Sequence, residues 1–371
     1  MKKIAILGAS YLQKPLVDKA NIMGIETHCF AWDNEEAICK HHADFFYPIS
    51  VLDKELILQK CIEIGIDGIT TIATDICIPT IAFVAEKMNL CSNSYLSAML
   101  STNKAMMRKA FYENNVNSPK SRVASGCNVL EFADFSFPLI VKPTDRSGSR
   151  GVTKVENNTQ LEVAIIRGLN ESLEKKVVVE EFITGVEVSV ETMSWNGNHT
   201  ILAITDKVTT GSPYFVELEH HQPSLLAETI QENIKKETLK ALDALDIKMG
   251  ASHSEFKITD SGDVYAIEVG ARMGGDFIGS HLVALSTGYD FVKGVIETAL
   301  GAFNPIQFVS KNHSGVYFLC KETEQLKPFF EMKNHFDVEK KITNETLKNI
   351  TNSNERSGYL IYKNNEKVNL K

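Results

Sequence analysis

The sequence predicts a chain of mixed architecture, α/β in its first part and α+β in the remainder. Apolar strands alternate with helical stretches over roughly the first hundred residues, which is typical of a doubly wound parallel sheet. Further along, residues 186–192 alternate strictly between apolar and polar side chains, as half-buried antiparallel strands do. At 371 residues the chain exceeds a single hydrophobic core, so two or three domains are expected.

The first unit begins with an apolar strand, Lys3–Leu7, which Gly8-Ala9-Ser10 turns into a helix starting near Pro15. Further strands are predicted at 26–32 and 68–73, and further helices at 96–100 and 104–114. Asn117-Ser118-Pro119 ends the last of these helices, because a residue before proline avoids the helical conformation. These elements predict a Rossmann-like domain over residues 1–100.

From Phe137 onward the pattern changes to strands separated by polar loops. The later elements predicted are strands at 138–142, Val177–Glu181, 186–192 and 356–362, and a helix at 225–245 with apolar residues at helical spacing. We expect a central domain over 101–300, with subdomains of about 115–183 and 184–300. A small C-terminal subdomain over 301–371 completes the predicted organisation.

Composition excludes several classes of protein. The formal net charge of −8 argues against general nucleic-acid binding, which needs a basic surface. No apolar run reaches the roughly 20 residues of a membrane span, and the apolar N-terminus is interpreted as a buried strand rather than a signal peptide. Seven dispersed cysteines without a Cys-x-x-Cys pair favour reduced thiols in the cytoplasm.

The loop at 144–151 has the composition of a phosphate-binding loop. Glycines let the backbone approach an anion closely, and N–H groups between them can point at phosphate oxygens. Lys142, directly before the loop, offers a compact positive charge suited to phosphate. The Walker pattern is absent, so this is not a P-loop. The alternative is an ordinary surface connection.

A second candidate segment runs from Val178 to Ile183 as an apolar strand ending in acidic residues. Backbone groups there could recognise an adenine edge, and a glutamate could accept from the exocyclic amine. Glu187 and Glu191 project from one face of the next strand, and a carboxylate can accept from both hydroxyls of a ribose. The alternative is the solvated polar face of an antiparallel strand.

The most informative segment is a hairpin predicted at 252–269, whose two alternating runs flank Thr259-Asp260-Ser261-Gly262. If Ser261-Gly262 is a two-residue loop, the register places Glu255 opposite Glu268 on one face. Like charges directly opposed across strands destabilise a hairpin, so a cation between them is expected, and oxygen ligands favour Mg²⁺ or Mn²⁺. The alternative is a pair of solvated surface carboxylates.

Together these segments resemble the ATP-grasp superfamily, and the resemblance spans most of the chain. Its motifs occur in order as Thr102-Asn103-Lys104, Val141-Lys142-Pro143, the 144–151 loop, Glu180-Glu181-Phe182, Gly185-Val186-Glu187, His253-Ser254-Glu255-Phe256 and the 267–275 segment. The resemblance implies an ATP-grasp fold with an N-terminal Rossmann-like substrate domain. The family's habit also implies a homodimer.

The resemblance also implies roles for individual residues. Lys104 and Lys142 would contact ATP phosphates beneath a loop containing Ser147, Gly148 and Ser149. The side chain of Glu180 and the backbone of Glu181, Phe182 and Ile183 would hold adenine, and Glu187 would hold ribose. Glu255 and Glu268 would bind Mg²⁺ or Mn²⁺. Arg272 would steady the transferring phosphoryl group or an acyl phosphate.

One departure from the family pattern concerns the metal. Many members have Asn two positions after the second metal-binding glutamate, whereas this chain has Gly270. Metal binding would then rest on two glutamates, phosphates and waters, which Mg²⁺ tolerates.

The variant at 268–275 looks like the branch of amino-acid and dipeptide ligases, and so does Glu219-His220-His221-Gln222-Pro223-Ser224. His220 is therefore a candidate for the acceptor pocket, against the alternative of a loop histidine without chemistry. Lys207 and Asp75 are placed near the substrate by analogy alone.

The function implied is an ATP-dependent carboxylate–amine ligase acting on amino acids through an acyl phosphate. Its small-molecule partners would be ATP, a carboxylate and an amine, without nucleic acid or membrane. Within the family, the alternative is a purine-biosynthesis or carbamoyl-phosphate-type ligase. Outside it stand a non-catalytic nucleotide-binding protein and an NAD(P)-dependent oxidoreductase, for which Gly8 and Asp33 lie at suitable strand ends but the glycine motif is incomplete.

Overall fold

The computed structural model describes residues 1–146, 148 and 150–370. Ser147 and Ser149, both predicted in the phosphate loop, lie outside the described residues. Within these bounds the chain forms three β-sheets, two of four strands and one of eight.

The N-terminal sheet is parallel, as the alternation of strands and helices predicts. It has the order β3-β2-β1-β4 and consists of β1 (Lys3–Leu7), β2 (Glu26–Phe30), β3 (Phe45–Tyr47) and β4 (Gly68–Thr70). Its helices are α1 (Lys14–Ile22), α2 (Lys54–Ile64), α3 (Ile78–Met88) and α4 (Tyr95–Thr102). Four consecutive residues of the central strand β1 have no exposed surface, as expected for a parallel strand covered on both faces.

Helix α5 (Lys104–Glu113) leads into the second, antiparallel sheet. That sheet has the order β5-β8-β6-β7 and consists of β5 (Ser121–Ala124), β6 (Leu139–Pro143), β7 (Thr153–Val155) and β8 (Val177–Glu181). Helix α6 (Asn158–Glu171) covers one face through an apolar cluster that includes Leu161 and Ile165. We call this four-stranded layer the small sheet.

The third sheet is antiparallel and has the order β13-β12-β9-β10-β11-β14-β16-β15. Its strands are β9 (Val186–Trp195), β10 (Asn198–Thr209), β11 (Glu217–Gln222), β12 (Gly250–Ile258), β13 (Val264–Gly270), β14 (His313–Leu319), β15 (Asp337–Ile342) and β16 (Gly358–Asn364). The associated helices are α7 (Glu228–Ala244), α8 (Val283–Thr287), α9 (Phe291–Ala299) and α10 (Lys327–Glu331). The strands after residue 301 thus continue this large sheet through the pairing of β11 with β14.

The two faces of the large sheet differ in chemistry. On one face Val188, Val190 and Phe256 pack with side chains of α5 and α7 in a common core. On the other face, strand register places Glu187 beside both Lys207 and Lys257, and Ser189 beside Glu255. Because side chains alternate along a strand, one face forms the core while the other gathers the charged residues.

The described part of the chain has no helix that combines the length and apolar character needed to cross a membrane.

Candidate active site

The charged face of the large sheet opens onto a cleft of about 330 Å³. Eleven predicted site residues line it: Asp75, Lys104, Lys142, Gly148, Phe182, Glu187, Lys207, His220, Glu255, Glu268 and Arg272. The fold therefore brings together side chains from the N-terminal domain, the small sheet and the large sheet.

One end of the cleft is apolar. Ile140, Val152 and Ile267 line it together with Phe182 and Phe215, whose ring centroids lie 6.0 Å apart. Aromatic and aliphatic walls of this kind suit a flat heterocycle.

The backbone beside this apolar end is partly engaged within the protein. The N–H of Glu181 donates to the Lys120 carbonyl at 3.0 Å, and the N–H of Phe182 donates to the Pro138 carbonyl at 2.9 Å. The N–H groups of Glu181 and Phe182 are therefore not free to donate to adenine, which corrects the prediction for these two donors. The predicted contact of adenine with the backbone of Ile183 is not affected.

Glu180 differs from the prediction. Its side chain has no exposed surface and is held by Arg108 Nε at 2.7 Å and Lys142 Nζ at 2.9 Å. Burial alone would raise the pKa of Glu180, but the two cations outweigh it and lower the pKa to about 2. The predicted contact of this carboxylate with adenine is therefore replaced by a contact that fixes the ammonium of Lys142.

Arg108 connects this buried pair to the large sheet. Its Nη2 donates to the carbonyl of Ile267 at 2.7 Å, directly before Glu268. One guanidinium thus joins the small sheet, which carries Lys142, to the strand that carries a predicted metal ligand.

Lys207 lies at the centre of a group of carboxylates. Its Nζ is 2.6 Å from Glu187, 2.7 Å from Glu255 and 3.8 Å from Glu217, and Glu187 also pairs with Lys257 at 3.1 Å. Burial alone would lower the pKa of Lys207, but the surrounding carboxylates raise it well above its usual value. The ammonium is therefore charged at neutral pH.

The hairpin register confirms the pairing of Glu255 with Glu268, although the predicted turn is wrong. Ile258 pairs with Val264, and Gly262 donates to the Thr259 carbonyl at 2.9 Å, so the loop is longer than two residues. A bulge between Glu255 and Phe256 shifts the register by one residue. The two deviations cancel, and the glutamates face each other as predicted.

The donor set around the two glutamates fits Mg²⁺. Glu268 Oε1 is 2.8 Å from Lys104 Nζ and Glu255 Oε1 is 2.7 Å from Lys207 Nζ, so each carboxylate accepts a cation. Among the described residues, no group of three or more His, Cys, Asp or Glu side chains is arranged to hold a metal ion. Mg²⁺ is usually held by one or two carboxylates with phosphates and waters, which matches this pair.

Arg272, which follows β13, and Asp75, which follows β4, form a bidentate ion pair with Nε–Oδ1 and Nη2–Oδ2 distances of 2.9 Å. Both line the cleft. A Cβ atom on Gly270 would lie 2.5 Å from Asp75 Oδ1 and 3.2 Å from the Arg272 guanidinium. The departure noted at position 270 thus has a physical reason, because this ion pair occupies the space that a side chain would need.

His253 lies between two carboxylates on the same face. Its Nδ1 donates to Glu191, and its Nε2 is 3.4 Å from Glu255 Oε1. Burial alone would lower the pKa of His253, but Glu191 outweighs it and the pKa rises to about 9. Glu191 also accepts from the Gly274 amide at 2.9 Å, so it is fully engaged within the protein.

His220 also lines the cleft. It is 1% exposed, and neither ring nitrogen has a hydrogen-bond partner among the described residues. Burial holds the pKa of His220 well below its usual value, so the ring is neutral. Asp276 and Glu217 line the same cleft, and Arg356 pairs with Asp276 through two contacts of 2.8 Å.

The first turn of the N-terminal domain is closed by a glutamine. Gln13 Oε1 accepts from the Ser10 amide at 3.1 Å and its hydroxyl at 2.9 Å, while Gln13 Nε2 donates to the Ile72 carbonyl at 2.7 Å. Asp33 pairs with Lys40 at 3.1 Å. Because the side chain of Gln13 takes the amide that a pyrophosphate would need, the turn does not support the dinucleotide-binding alternative.

The described residues of the site that were not predicted from the sequence include Arg108, His253 and Asp276. His253 is two positions from Glu255 on one strand, so its place on the same face was within reach of the alternation rule. Arg108 had no such signal, because its partners are 72 and 159 positions away along the chain.

Comparison with known proteins agrees with this geometry. Residues 135–280 match the family model of the ATP-grasp domain. The chain is 26% identical over 304 residues to the alanine–anticapsin ligase of Bacillus subtilis, covering 72% of this chain and 64% of the relative. It is 30% identical over 189 residues to a D-alanine–D-alanine ligase of Trichlorobacter lovleyi, covering 48% of this chain and 58% of the relative. The chain thus spans less than two thirds of these curated relatives.

Two solved structures share the fold over almost the whole chain. The L-amino acid ligase from Bacillus licheniformis superposes with a TM-score of 0.82 and 23% identity, covering 99% of this chain and 94% of that one. The phosphoribosylglycinamide synthetase from Anaerococcus prevotii superposes with a TM-score of 0.77 and 25% identity, covering 98% and 94%. Residues 135–280 thus match the ATP-grasp domain, and the chain is similar in sequence to the alanine–anticapsin ligase.

Proposed function

We propose that this protein is an ATP-dependent carboxylate–amine ligase that joins amino acids through an acyl phosphate, releasing ADP and phosphate. The observation that carries the proposal is the paired Glu255 and Glu268, which share one cleft with Lys104, Lys142 and Arg272. Opposed carboxylates beside cations are arranged for a triphosphate with its metal rather than for a neutral ligand.

In the proposed complex the adenine base lies in the apolar slot between Ile140, Phe182 and Phe215. Lys142, fixed from behind by Glu180, and Lys104, at the start of α5, supply positive charge to the phosphates. Gly148 lines the same cleft, and its backbone can approach a phosphate oxygen closely. Glu187 accepts from the ribose hydroxyls.

Glu255 and Glu268 would hold Mg²⁺ or Mn²⁺, with phosphate oxygens and waters as the remaining ligands. When bound, such a cation neutralises charge that develops on the phosphate oxygens. Before ATP enters, Lys207 and Lys104 neutralise the same carboxylates. Since the ammonium groups are mobile ends of long side chains, they can turn from a carboxylate to a phosphate oxygen.

The chemistry is carried by the substrates, and the protein positions them. A carboxylate oxygen of the first substrate attacks the γ-phosphorus of ATP, and the bond from that phosphorus to the β–γ bridging oxygen breaks, so ADP leaves. The amine nitrogen of the second substrate then attacks the acyl carbon, and the carbon–oxygen bond to phosphate breaks. Arg272, which lines the cleft, would stabilise the oxygens that gain negative charge in both steps.

The amine must reach the acyl carbon as a free base. His220 is neutral and its ring nitrogens are unpartnered among the described residues, so one nitrogen can accept an N–H hydrogen bond from the amine. Glu217 lines the same cleft and suits a substrate that arrives as an ammonium, whereas the charge of Asp276 is balanced by Arg356.

Amino acids are proposed as substrates because relatives named for alanine, anticapsin and D-alanine match this chain. A purine-pathway type of ligase is the second candidate, favoured by the likeness to the phosphoribosylglycinamide synthetase. The two candidates differ in whether the substrate carries a phosphate.

The test is an ADP-release assay across pairs of amino acids, with single amino acids and ATP alone as controls. Release that requires two amino acids, with a dipeptide found by mass spectrometry, is expected. Release that requires a phosphoribosyl amine instead would favour the second candidate. Release without any organic acid would reject ligation and indicate simple hydrolysis.

A further inference from the structure

A second cavity, of about 230 Å³, lies at the carboxyl ends of β1, β2 and β4 in the N-terminal sheet. Its walls are largely apolar and include Ala31, Trp32, Val51 and Ile76. Crevices at this edge of a parallel sheet are where α/β proteins bind ligands. The function proposed above leaves this cavity without a role.

The cavity adjoins the reaction cleft. Leu12 and Ala73 line both spaces, and the Ala73 amide donates to the Met273 carbonyl at 3.0 Å, which fastens the dividing segment. A Cβ atom on Gly275 would lie 3.3 Å from Ala73 Cβ and 3.9 Å from Leu12 Cδ2. The missing side chain at position 275 therefore keeps room between the two spaces.

The dividing segment, residues 73–77, presents different residues to each side. Asp75 lines the cleft, where it holds Arg272, whereas Thr74, Ile76 and Cys77 line the cavity. The cleft that contains Arg272 and the cavity thus meet at Leu12 and Ala73, which line both of them.

The lining of the cavity is poorly suited to anions. None of its described lining residues is Lys, Arg or His, and its single carboxylate is Glu36. The Ser10 amide, which could have faced a phosphate, is taken by Gln13. A phosphate here would be desolvated without a compensating positive charge.

We propose that this cavity receives the side chain of the carboxylate substrate, and that this side chain is large, uncharged and unphosphorylated. The proposal rests on the ligase function and narrows its substrate class to apolar or aromatic amino acids. Trp32, which is 47% exposed at the cavity, would be covered by the substrate side chain.

The chain offers a direct optical test, because it contains two tryptophans. Trp195 stacks on Phe303 with a centroid distance of 5.2 Å and does not line the cavity. In a Trp195→Phe variant, emission therefore reports on Trp32 alone. With ADP and Mg²⁺ present, titration with L-phenylalanine or L-leucine is expected to shift the emission saturably, whereas glycine and O-phospho-L-serine leave it unchanged.

This experiment distinguishes a failure of the cavity proposal from a failure of the proposed ligase function. ADP release with amino acids but no response of Trp32 to any of them would overturn the cavity proposal and leave ligation standing. A saturable Trp32 response without any ADP release would support the cavity and reject ligation. A response to O-phospho-L-serine as strong as that to L-phenylalanine would overturn the proposed selectivity.

A second variant tests the same idea through kinetics. Trp32→Ala should lower kcat/KM on the order of 10-fold for a large apolar carboxylate substrate, because the aromatic wall is lost. For glycine or alanine in the same position, kcat/KM should change little. Tyr112→Ala, at an 84% exposed aromatic on α5, is the matched control. An equal loss for small and large substrates would contradict a role in selecting the side chain.

Discussion

Two groups of cations and carboxylates border the cleft, and they differ in how much of them faces solvent. The closed cluster consists of Arg108, Lys142 and Glu180, and all three side chains are at least nine-tenths buried. The open cluster consists of Glu187, Lys207, Glu255 and Lys257. Its two carboxylates keep 19% and 26% of their side-chain surface exposed.

The balance of charge differs as well. In the closed cluster two cations share one carboxylate, whereas in the open cluster two lysines pair with two carboxylates and Lys207 also lies 3.8 Å from Glu217. A buried, ion-paired network holds its members in one arrangement. A network whose carboxylates are partly exposed can exchange partners, which suits a metal and a phosphate chain. The comparison therefore separates Glu180, which positions Lys142, from Glu187 and Glu255, which are proposed to bind ligands.

The largest effect is expected from breaking the closed cluster. Arg108→Met should lower the free energy of unfolding by roughly 3–5 kcal/mol, because it leaves Glu180 buried with one cation. Urea unfolding followed by circular dichroism measures this change. The exposed pair of Arg122 with Asp134 gives the matched control, Arg122→Met, which should change stability little. Equal losses in the two variants would remove the distinction between the clusters.

A large effect on rate, with little effect on folding, is expected next to the open cluster. Glu268→Gln should reduce ADP release by on the order of 10²-fold or more, because it removes a proposed metal ligand. Its melting temperature should stay close to that of the wild type. Glu345→Gln, at a 79% exposed carboxylate, controls for the loss of charge. Near-normal ADP release by the Glu268 variant would reject the metal role.

Lys142 belongs to the closed cluster but also lines the cleft. A substitution at this residue therefore tests whether a side chain held by the closed cluster also binds phosphate. Lys142→Ala should weaken ATP binding about 10-fold, because a charge-assisted contact to phosphate is lost. Isothermal titration calorimetry measures the affinity, with Lys109→Ala on the exposed side of α5 as the control. An unchanged affinity for ATP would reject the phosphate contact.

The most gradual effect is a dependence of stability on pH. The pKa of His253 is raised from 6.5 to about 9 in the folded protein. Its contribution to stability is therefore complete below about pH 6.5 and is lost as the pH rises through 9. Between these values the free energy of unfolding should fall by up to about 1.4 kcal/mol per pH unit. Urea unfolding of wild type and His253→Gln at several pH values measures this slope, and equal slopes would contradict the assignment.

Much of the fold followed from local sequence patterns. Strands β1 and β8 begin and end where predicted, because uninterrupted apolar runs between turn residues leave little choice. The facing glutamates were also predicted, yet the bulge at Glu255 was not, since a bulge depends on how two strands meet in space. The predicted pairing of the glutamates is nevertheless correct, because the longer turn and the bulge shift the register in opposite directions.

The parts of the site that escaped prediction depend on contacts between distant segments. Nothing near Glu180 in the sequence indicates that Arg108 and Lys142 enclose it. In the same way, Asp276 meets Arg356 across 80 residues. Sequence patterns therefore indicated which residues carry charge toward the cleft, but the sharing of those charges between partners required the folded structure.

The space around position 270 has a consequence for how this protein can change. Because a Cβ there would collide with Asp75 and crowd Arg272, an asparagine can enter only if one of those two residues is altered as well. Positions 75, 270 and 272 are therefore expected to show epistasis, because a substitution of Gly270 alone would be destabilising. An ancestor or descendant with the asparagine should differ at its partner positions too.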